Sequence, residues 1–317
     1  MRDCITSSGN NAQLSPNKRV NYAFGMVLGV DDFRQEQEHF EWKHSKSNLL
    51  LHGSGTVCGL QVTAEESDGG DVEIRISSGY AVSRRGRWIW VERDLCARLG
   101  EWVAKNPPPG SPPGAGPQTV YVKLCYEECP TDLVPIAGQP CAKDDDARAP
   151  SRIIETGRAE FSWTEPDQRD EESFRRFGDL LEHVMIVDEE LSPDDSAVFL
   201  DLVRNLCQPV TSPPVGSPPV APPVASPPVT SPPFEPDTIL RLARATACDT
   251  MRTALTIWVT EVCPCIRPQT AEDDCILLAC VRFDLNSSGE LVNTSVVVSD
   301  CERPVLVPDR LKQELFC

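Results

Sequence analysis

A strand pattern is clearest in Asp71-Val-Glu-Ile-Arg-Ile-Ser77, where apolar and polar residues alternate without a break. Successive side chains of a strand point to opposite faces, so this alternation predicts a strand that is buried on one face only. Further short strands are predicted at 56–63, 80–83 and 87–91, with a tight turn at Arg84-Arg85-Gly86 between the last two. Together these segments predict a small antiparallel β-meander.

Predicted helices flank this meander. Residues 31–51 contain no Gly or Pro and are rich in helix formers, and the acidic start at Asp31 or Asp32 suits the positive end of a helix dipole. Phe33 and Phe40 lie seven residues apart, on one stripe of this helix. A shorter helix is predicted at 95–105, directly after the last strand.

The rest of the chain predicts a second group of strands and helices. We expect strands at 119–126 and 151–163 and a terminal hairpin at 275–298, and the sequence leaves open whether these form one sheet. Helices are predicted to start at Ser192, which suits an N-cap, and at Asp237, the latter ending near Val262. The predicted class is therefore α+β, with small antiparallel β modules and flanking helices joined by Pro-rich linkers.

The chain divides into six predicted parts. These are a polar N-terminal tail (1–18), a helix plus β-meander module (19–105), a Pro/Gly linker (106–118), β strands with an acidic helical segment (119–208), an SPPV-repeat linker (209–236) and a helix plus β-hairpin unit (237–317). The acid-rich stretch 164–195 is predicted to be a solvated, repelling surface. The SPPV repeats favour polyproline II, as a spacer or alternatively as a docking ligand for an aromatic groove.

Composition limits the classes of function. Of 317 residues, 30 are Lys or Arg and 48 are Asp or Glu, which gives a net charge of −18 and argues against nucleic acid or an anionic membrane as a partner. The sequence shows neither a signal peptide nor a spanning apolar run, so we expect a cytoplasmic protein without membrane insertion. In that reducing compartment its 14 cysteines are expected to be free, buried or metal-bound rather than disulfide-paired.

No residue is predicted to be catalytic, cofactor-binding or metal-binding. The four histidines, at 39, 44, 52 and 183, lack a metal spacing, and Ser54 lacks both the five-residue nucleophile pattern and an assignable base. Asp144-Asp145-Asp146 predicts a solvated loop. The cysteines leave a question open, because zinc or a disulfide is conceivable among Cys125, Cys129, Cys141, Cys263, Cys265, Cys275 and Cys280. Against a four-cysteine site, Cys275 and Cys280 lie five apart on a predicted strand and should face opposite ways.

The strand at 87–91 carries two tryptophans. Trp88 and Trp90 point to one face and Ile89 and Val91 to the other, so both faces are apolar. One interpretation is a sandwich core on both sides of the sheet. The other is that one face is an assembly interface.

Several motifs carry a resemblance to a known family. They are Asn21-Tyr-Ala-Phe-Gly-Met-Val-Leu-Gly-Val-Asp-Asp-Phe33 with Glu36, Glu38 and Lys43-His44, then Leu50-Leu-His-Gly-Ser-Gly-Thr-Val-Cys-Gly-Leu-Gln-Val62, Ser78-Gly-Tyr-Ala-Val82 with Gly86 and Ile89, Tyr126-Glu-Glu-Cys-Pro-Thr-Asp-Leu-Val-Pro135 with Ser151-Arg-Ile153, and Leu277-Leu-Ala-Cys-Val281 with Asp300-Cys-Glu-Arg-Pro304. In these stretches, about half of the chain, it resembles a bacterial family associated with contractile injection systems, which are phage-tail-like particles. The long SPPV linker departs from that pattern.

The resemblance implies a structural protein encoded among baseplate genes, and it brings no catalytic residues. We therefore expect a non-enzymatic structural subunit at or around the baseplate, present in the cytoplasm within the assembled particle. Its expected partners are baseplate, spike or sheath proteins and further copies of itself. Two alternatives are a fibre-like or glycan-binding appendage module and, ranked last, a metal-stabilised hydrolase.

Overall fold

A computed structural model describes residues 15–67, 71–109, 116–136, 148–206, 239–266, 274–300, 303–308 and 311. The chain divides into two compact units. Unit 1 comprises Met1–Pro166 and Ala271–Cys317, and unit 2 comprises Asp167–Thr270. The SPPV linker at 209–236 lies outside the described residues.

Unit 1 begins with a long helix, α1 (Val30–Leu51), as the sequence predicts. The Gly29 N–H donates a hydrogen bond to Asp32 Oδ2 at 2.8 Å, which satisfies one of the amide groups that the first helical turn leaves open. His52 follows the last turn. A seven-residue helix, α2 (Leu99–Lys105), comes later in the unit.

Two three-stranded antiparallel sheets form the meander. One contains β1 (Gly55–Gly59), β4 (Gly79–Val82) and β5 (Trp88–Val91), in the order β1-β4-β5. The other contains β2 (Val62–Glu66), β3 (Val72–Ile76) and β6 (Leu95–Arg98), in the order β2-β3-β6. The alternating residues of β3 behave as predicted, since Val72, Ile74 and Ile76 are buried.

Two of the predicted elements in this region are wrong. The predicted strand 56–63 is two strands, because the backbone turns at Leu60, which has a φ of 57°, and this left-handed conformation ends a strand. The side chain of Leu60 is fully buried, so core packing offsets the strain. The predicted helix 95–105 starts only at Leu99, because its first four residues pair with β3 as β6.

The largest sheet has four strands in the order β12-β11-β7-β8. Its members are β7 (Gly116–Pro135), β8 (Arg148–Ser162), β11 (Cys275–Leu285) and β12 (Leu291–Ser299). The strands predicted at 119–163 and the terminal hairpin therefore lie in one sheet, since β11 pairs with β7. Both β7 and β8 are longer than predicted.

The core of unit 1 lies between the small sheets and one face of the large sheet. Ile74 and Ile89 from the small sheets pack in the same cluster as Leu124 and Leu278 from the large one. Gly157 on β8 permits this approach, because a Cβ there would lie 2.7 Å from Ile89 Cγ2. The core therefore uses one face of the large sheet and leaves the second face for other contacts.

Unit 2 is mainly helical. It contains α3 (Arg169–Glu182), β9 (Val184–Val187), α4 (Pro193–Asn205), β10 (Leu240–Ala243), α5 (Arg244–Ile257), a π-helical turn (Trp258–Val262) and α6 (Cys263–Ile266). Unlike the other sheets, its two strands are parallel. Leu180, Phe199 and Leu242 lie in its core. The α+β class with small, mostly antiparallel sheets is thus confirmed.

The predicted boundaries in unit 2 are partly wrong. The stretch 164–195, predicted to be acidic, solvated and helical, contains the helix α3 and also the strand β9, which was not predicted. Leu180 is buried there, so part of the segment belongs to the core of unit 2. The helix predicted from Asp237 begins at Arg244, because Leu240–Ala243 pairs with β9.

Candidate functional site

A disulfide joins the two central strands of the large sheet. Cys125 on β7 and Cys275 on β11 lie directly opposite each other in the antiparallel register, and their sulfurs are bonded with the Cα atoms 3.9 Å apart. A reducing compartment predicts thiols in preference to disulfides, and for this pair that prediction is wrong. Strand pairing brings the two side chains together across 150 residues, which spacing in the sequence does not reveal.

Charged groups surround this disulfide on the second face of the sheet. A carboxylate oxygen of Glu160 and the two sulfurs all lie within 4.8 Å of one another. Glu160 Oε1 is also paired with Arg158, and Glu160 Oε2 lies 3.8 Å from Lys123 Nζ. With two cations on the carboxylate and neither sulfur present as a thiolate, this arrangement supports a structural cross-link rather than a metal centre.

Cys280 faces the same side of the sheet as Cys275, contrary to the prediction. Cys275 lies opposite Cys125 and Cys280 lies opposite Tyr121, and these β7 residues share a face because they are four apart. The reason is an irregularity in the register between Leu277 and Ala279, which reverses the alternation. Cys280 is also disulfide-bonded.

The other candidate residues do not form a reactive cluster in what the structure describes. Cys129 is an exposed thiol of unit 1 and Cys263 a half-buried thiol of unit 2. Cys141, Asp144–Asp146 and the Cys265 side chain lie outside the described residues. Ser54 lies in a bend before β1, His52 follows α1 and His44 is exposed on α1. His39 and His183 each contact a backbone carbonyl through Nδ1, those of Pro16 and Asp179.

A two-stranded extension of the large sheet carries a group of exposed apolar side chains. We call it the β-ribbon, residues 127–135 of β7 and 148–156 of β8. Because β11 begins at Cys275, opposite Cys125, β7 pairs beyond Tyr126 with β8 alone. Four large apolar side chains of the β-ribbon are between 42% and 62% exposed: Leu133, Val134, Ile153 and Ile154.

The β-ribbon offers apolar groups on both faces. Pro130 lies opposite Ile153 and Cys129 lies opposite Ile154, so the two isoleucines point to opposite faces. Pro130, Pro135 and Pro150 cannot donate ladder hydrogen bonds and weaken any pairing along the edges. The β-ribbon is therefore suited to docking through its faces rather than by strand addition.

A polar cluster holds the base of the β-ribbon. The Arg87 guanidinium lies 4.7 Å from the centre of the Tyr126 ring, and Arg87 Nη1 lies 2.7 Å from Glu128 Oε1. The Tyr126 hydroxyl donates to the same oxygen at 3.0 Å. Burial and this hydrogen bond hold the pKa of Tyr126 well above its usual range. Desolvation, reinforced by Glu128, raises the pKa of Glu41 on α1.

Three aromatic side chains share the outer face of the β1-β4-β5 sheet. Tyr80 lies opposite Trp90, and their rings are nearly parallel with centroids 6.2 Å apart. These two and Trp88 are exposed, whereas Ile89 and Val91 are buried. The interpretation of a core on both sides of this sheet is therefore wrong, and we call Tyr80, Trp88 and Trp90 the aromatic patch.

One partly open cavity in unit 1 is too small for a substrate. It has a volume of about 40 Å³ and is lined mainly by apolar side chains between the sheets, among them Ile74, Val122 and Phe161. Ligand pockets usually measure hundreds of Å³. A second, open hollow of about 410 Å³ lies on α1 between Phe33 and Phe40.

The β-ribbon is not among the elements predicted from the sequence, although a signal for it was present. Ile153 and Ile154 are adjacent, so in any strand one of them must point away from the core face.

No protein-family model matches the chain, and no curated protein matches it. Among the described helices, none is long and apolar enough to span a membrane.

Proposed function

We propose that the chain is a non-enzymatic structural subunit of a phage-tail-like contractile injection system, placed at or around the baseplate and acting through protein–protein assembly. The observation that carries this proposal is the β-ribbon, with large apolar side chains on two faces and no core of its own. Burial of each such side chain is worth about 1.5–3 kcal/mol. Large apolar side chains left exposed in this way are typical of an interface.

The motifs that carry the resemblance support the proposal because they meet in space. The Thr56 N–H donates to Pro304 O at 2.9 Å. Arg303 donates to Gly59 O at 3.1 Å and to Leu60 O at 3.0 Å. The Leu60 N–H in turn donates to Ser78 O. Three separate motifs thus build one structural unit, as expected if they specify a fold shared with that family.

Glycines in these motifs have structural roles. A Cβ at Gly59 would lie 2.2 Å from Ser78 O, and one at Gly79 would lie 2.3 Å from Cys58 O. Such close backbone approach excludes other residues. Both glycines therefore serve the packing of the backbone, which favours a structural role.

Co-purification with the particle tests the proposal. A tagged chain should sediment with sheath-and-tube particles in a strain that assembles them. Ile154→Asp should lower its amount in particles, because burying a carboxylate without a partner is costly, while the matched control Ile154→Val should not. A chain that stays free of the particles would refute the proposal.

A second candidate function is glycan binding by an appendage module. The aromatic patch favours it, because stacked, exposed Tyr80 and Trp90 rings offer an apolar surface with polar rims. Glycan-array binding that disappears in Trp90→Ala would support this candidate. Absence of any array signal for the wild-type chain would remove it.

A further inference from the structure

One side of α1 carries a continuous row of exposed residues. Their spacing alternates between three and four, which keeps them on one stripe along the whole helix. All seven are exposed. The row, which we call the α1 stripe, consists of Val30, Phe33, Gln37, Phe40, His44, Ser47 and Leu51.

The helix α1 is anchored on the side away from this stripe and on one of its flanks. On the far side, Gln35 Nε2 donates to the carbonyls of Ser15 and Lys18, each at 2.6 Å. On the flank, Asn48, which lies between His44 and Leu51 along the helix, donates from Nδ2 to Gly86 O at 2.9 Å in a buried contact. The residues of the α1 stripe stay exposed beside these anchors.

We propose that α1 is a self-pairing helix through which two copies of this chain join in antiparallel orientation. In that arrangement Phe33 of one copy lies over His44 of the other, and Phe40 lies over Gln37. Val30 lies over Ser47. Each phenylalanine, more than half exposed in the single chain, then gains a partner surface.

Charges beside the α1 stripe fix the orientation. Arg34 and Glu41 flank one side, and Glu36 and Lys43 flank the other. Antiparallel pairing brings Arg34 of each copy to Glu41 of the other. It likewise brings Glu36, whose carboxylate accepts a hydrogen bond from the Tyr22 hydroxyl of its own chain, to Lys43, so both pairs of flanking charges join opposite signs.

Parallel pairing in register has the opposite effect. It would place Glu36 of each copy beside Glu41 of the other, since positions flanking a parallel seam meet five residues apart. Like charges there repel. The polar Gln37 and His44 in the seam lower the affinity but restrict the register, so a reversible dimer is expected.

This pairing rests on the proposed function in one respect, since it supplies the contact between copies that an assembly subunit uses. It is testable on the purified chain without any particle. A monomeric chain that still co-purifies with particles would overturn the pairing and leave the function intact. A dimeric chain that never enters a particle would refute the proposed function and leave the pairing intact.

Sedimentation velocity over a dilution series tests the pairing. The wild-type chain should show a reversible monomer–dimer equilibrium that weakens as salt is added. Glu36→Lys alone and Lys43→Glu alone each place like charges together in two symmetric contacts, and each should weaken the dimer roughly tenfold. The double swap should restore it. Glu38→Lys changes the net charge equally but lies away from the stripe, and it should have no such effect.

Three outcomes would overturn the proposal. The first is a monomer at every concentration, and the second is a dimer indifferent to all of these substitutions. The third is a dimer that Glu36→Lys tightens, which would indicate parallel packing. Circular dichroism of each variant establishes that α1 is still folded.

Discussion

At the residue scale, Gly86 determines how α1 contacts the rest of unit 1. Its φ is 85°, and an added Cβ would lie 1.9 Å from Ser45 O on α1. Its carbonyl also accepts the buried hydrogen bond from Asn48. A single glycine therefore lets helix and turn approach closely, which a larger residue would prevent.

We predict that Gly86→Ala lowers the free energy of unfolding by about 1–3 kcal/mol, because it combines a strained φ with a backbone clash. Urea denaturation measures the loss, and hydrogen exchange should show faster exchange in α1. Gly178→Ala is the control, since a Cβ there meets nothing within 4 Å and α3 gains a better helix former. Equal stability of Gly86→Ala and wild type would contradict the account.

The Cys125–Cys275 disulfide is predicted to stabilise the fold. Replacing both cysteines by alanine should lower the free energy of unfolding by about 2–4 kcal/mol, because the bond restricts the unfolded chain. Denaturation without reductant measures this. Cys129→Ala removes an exposed thiol and should leave stability unchanged. A double variant as stable as wild type would show that the cross-link is dispensable.

Glu41 should make stability depend on pH. Its pKa is raised in the folded chain by desolvation and then by Glu128, so the folded state holds this proton more tightly than the unfolded state does. Its contribution is fully present below the ordinary carboxyl pKa of 4.5 and is lost as pH rises through the raised value. Glu41→Gln should therefore lose less stability across that interval. Parallel pH profiles of the two chains would contradict this.

At the element scale, periodicity predicts some segments well. β3 alternates strictly and α1 lacks helix breakers, so local pattern and final structure agree there. The failures occur where tertiary contacts override local preference. Leu60 adopts a left-handed backbone to reach the core, and pairing with β3 converts the predicted helix start into β6.

The β-ribbon is predicted to contribute little to folding. Ile154→Asp should change the free energy of unfolding by less than about 0.5 kcal/mol, because the side chain is exposed. Ile74→Ala should cost about 2–5 kcal/mol, since Ile74 is buried in the unit 1 core. Chemical denaturation compares the two. Marked destabilisation by Ile154→Asp would mean that the β-ribbon belongs to the folding core.

The candidate site was harder to predict than the strands. Exposure of Ile153 or Trp90 depends on which elements cover each sheet face, and a single strand's alternation gives the faces without saying what covers them. The disulfide depends likewise on the register between β7 and β11. Strand pairing over such a distance in sequence is not a local property.

At the scale of the whole molecule, the two units have separate cores. The sequence predicts the α+β class because both strand and helix periods are present. It does not predict that the terminal hairpin pairs with β7, from which unit 2 separates it in the sequence. Packing decides which strands pair over such a distance. The net charge of −18 favours partners that present basic groups beside apolar ones.

The most direct measurement is an image of the native particle at a resolution that traces its subunits. The account predicts this chain at or around the baseplate, with Leu133, Ile153 and Ile154 of the β-ribbon buried against a neighbouring protein. A particle that lacks the chain, or one in which the β-ribbon stays in solvent, would contradict it.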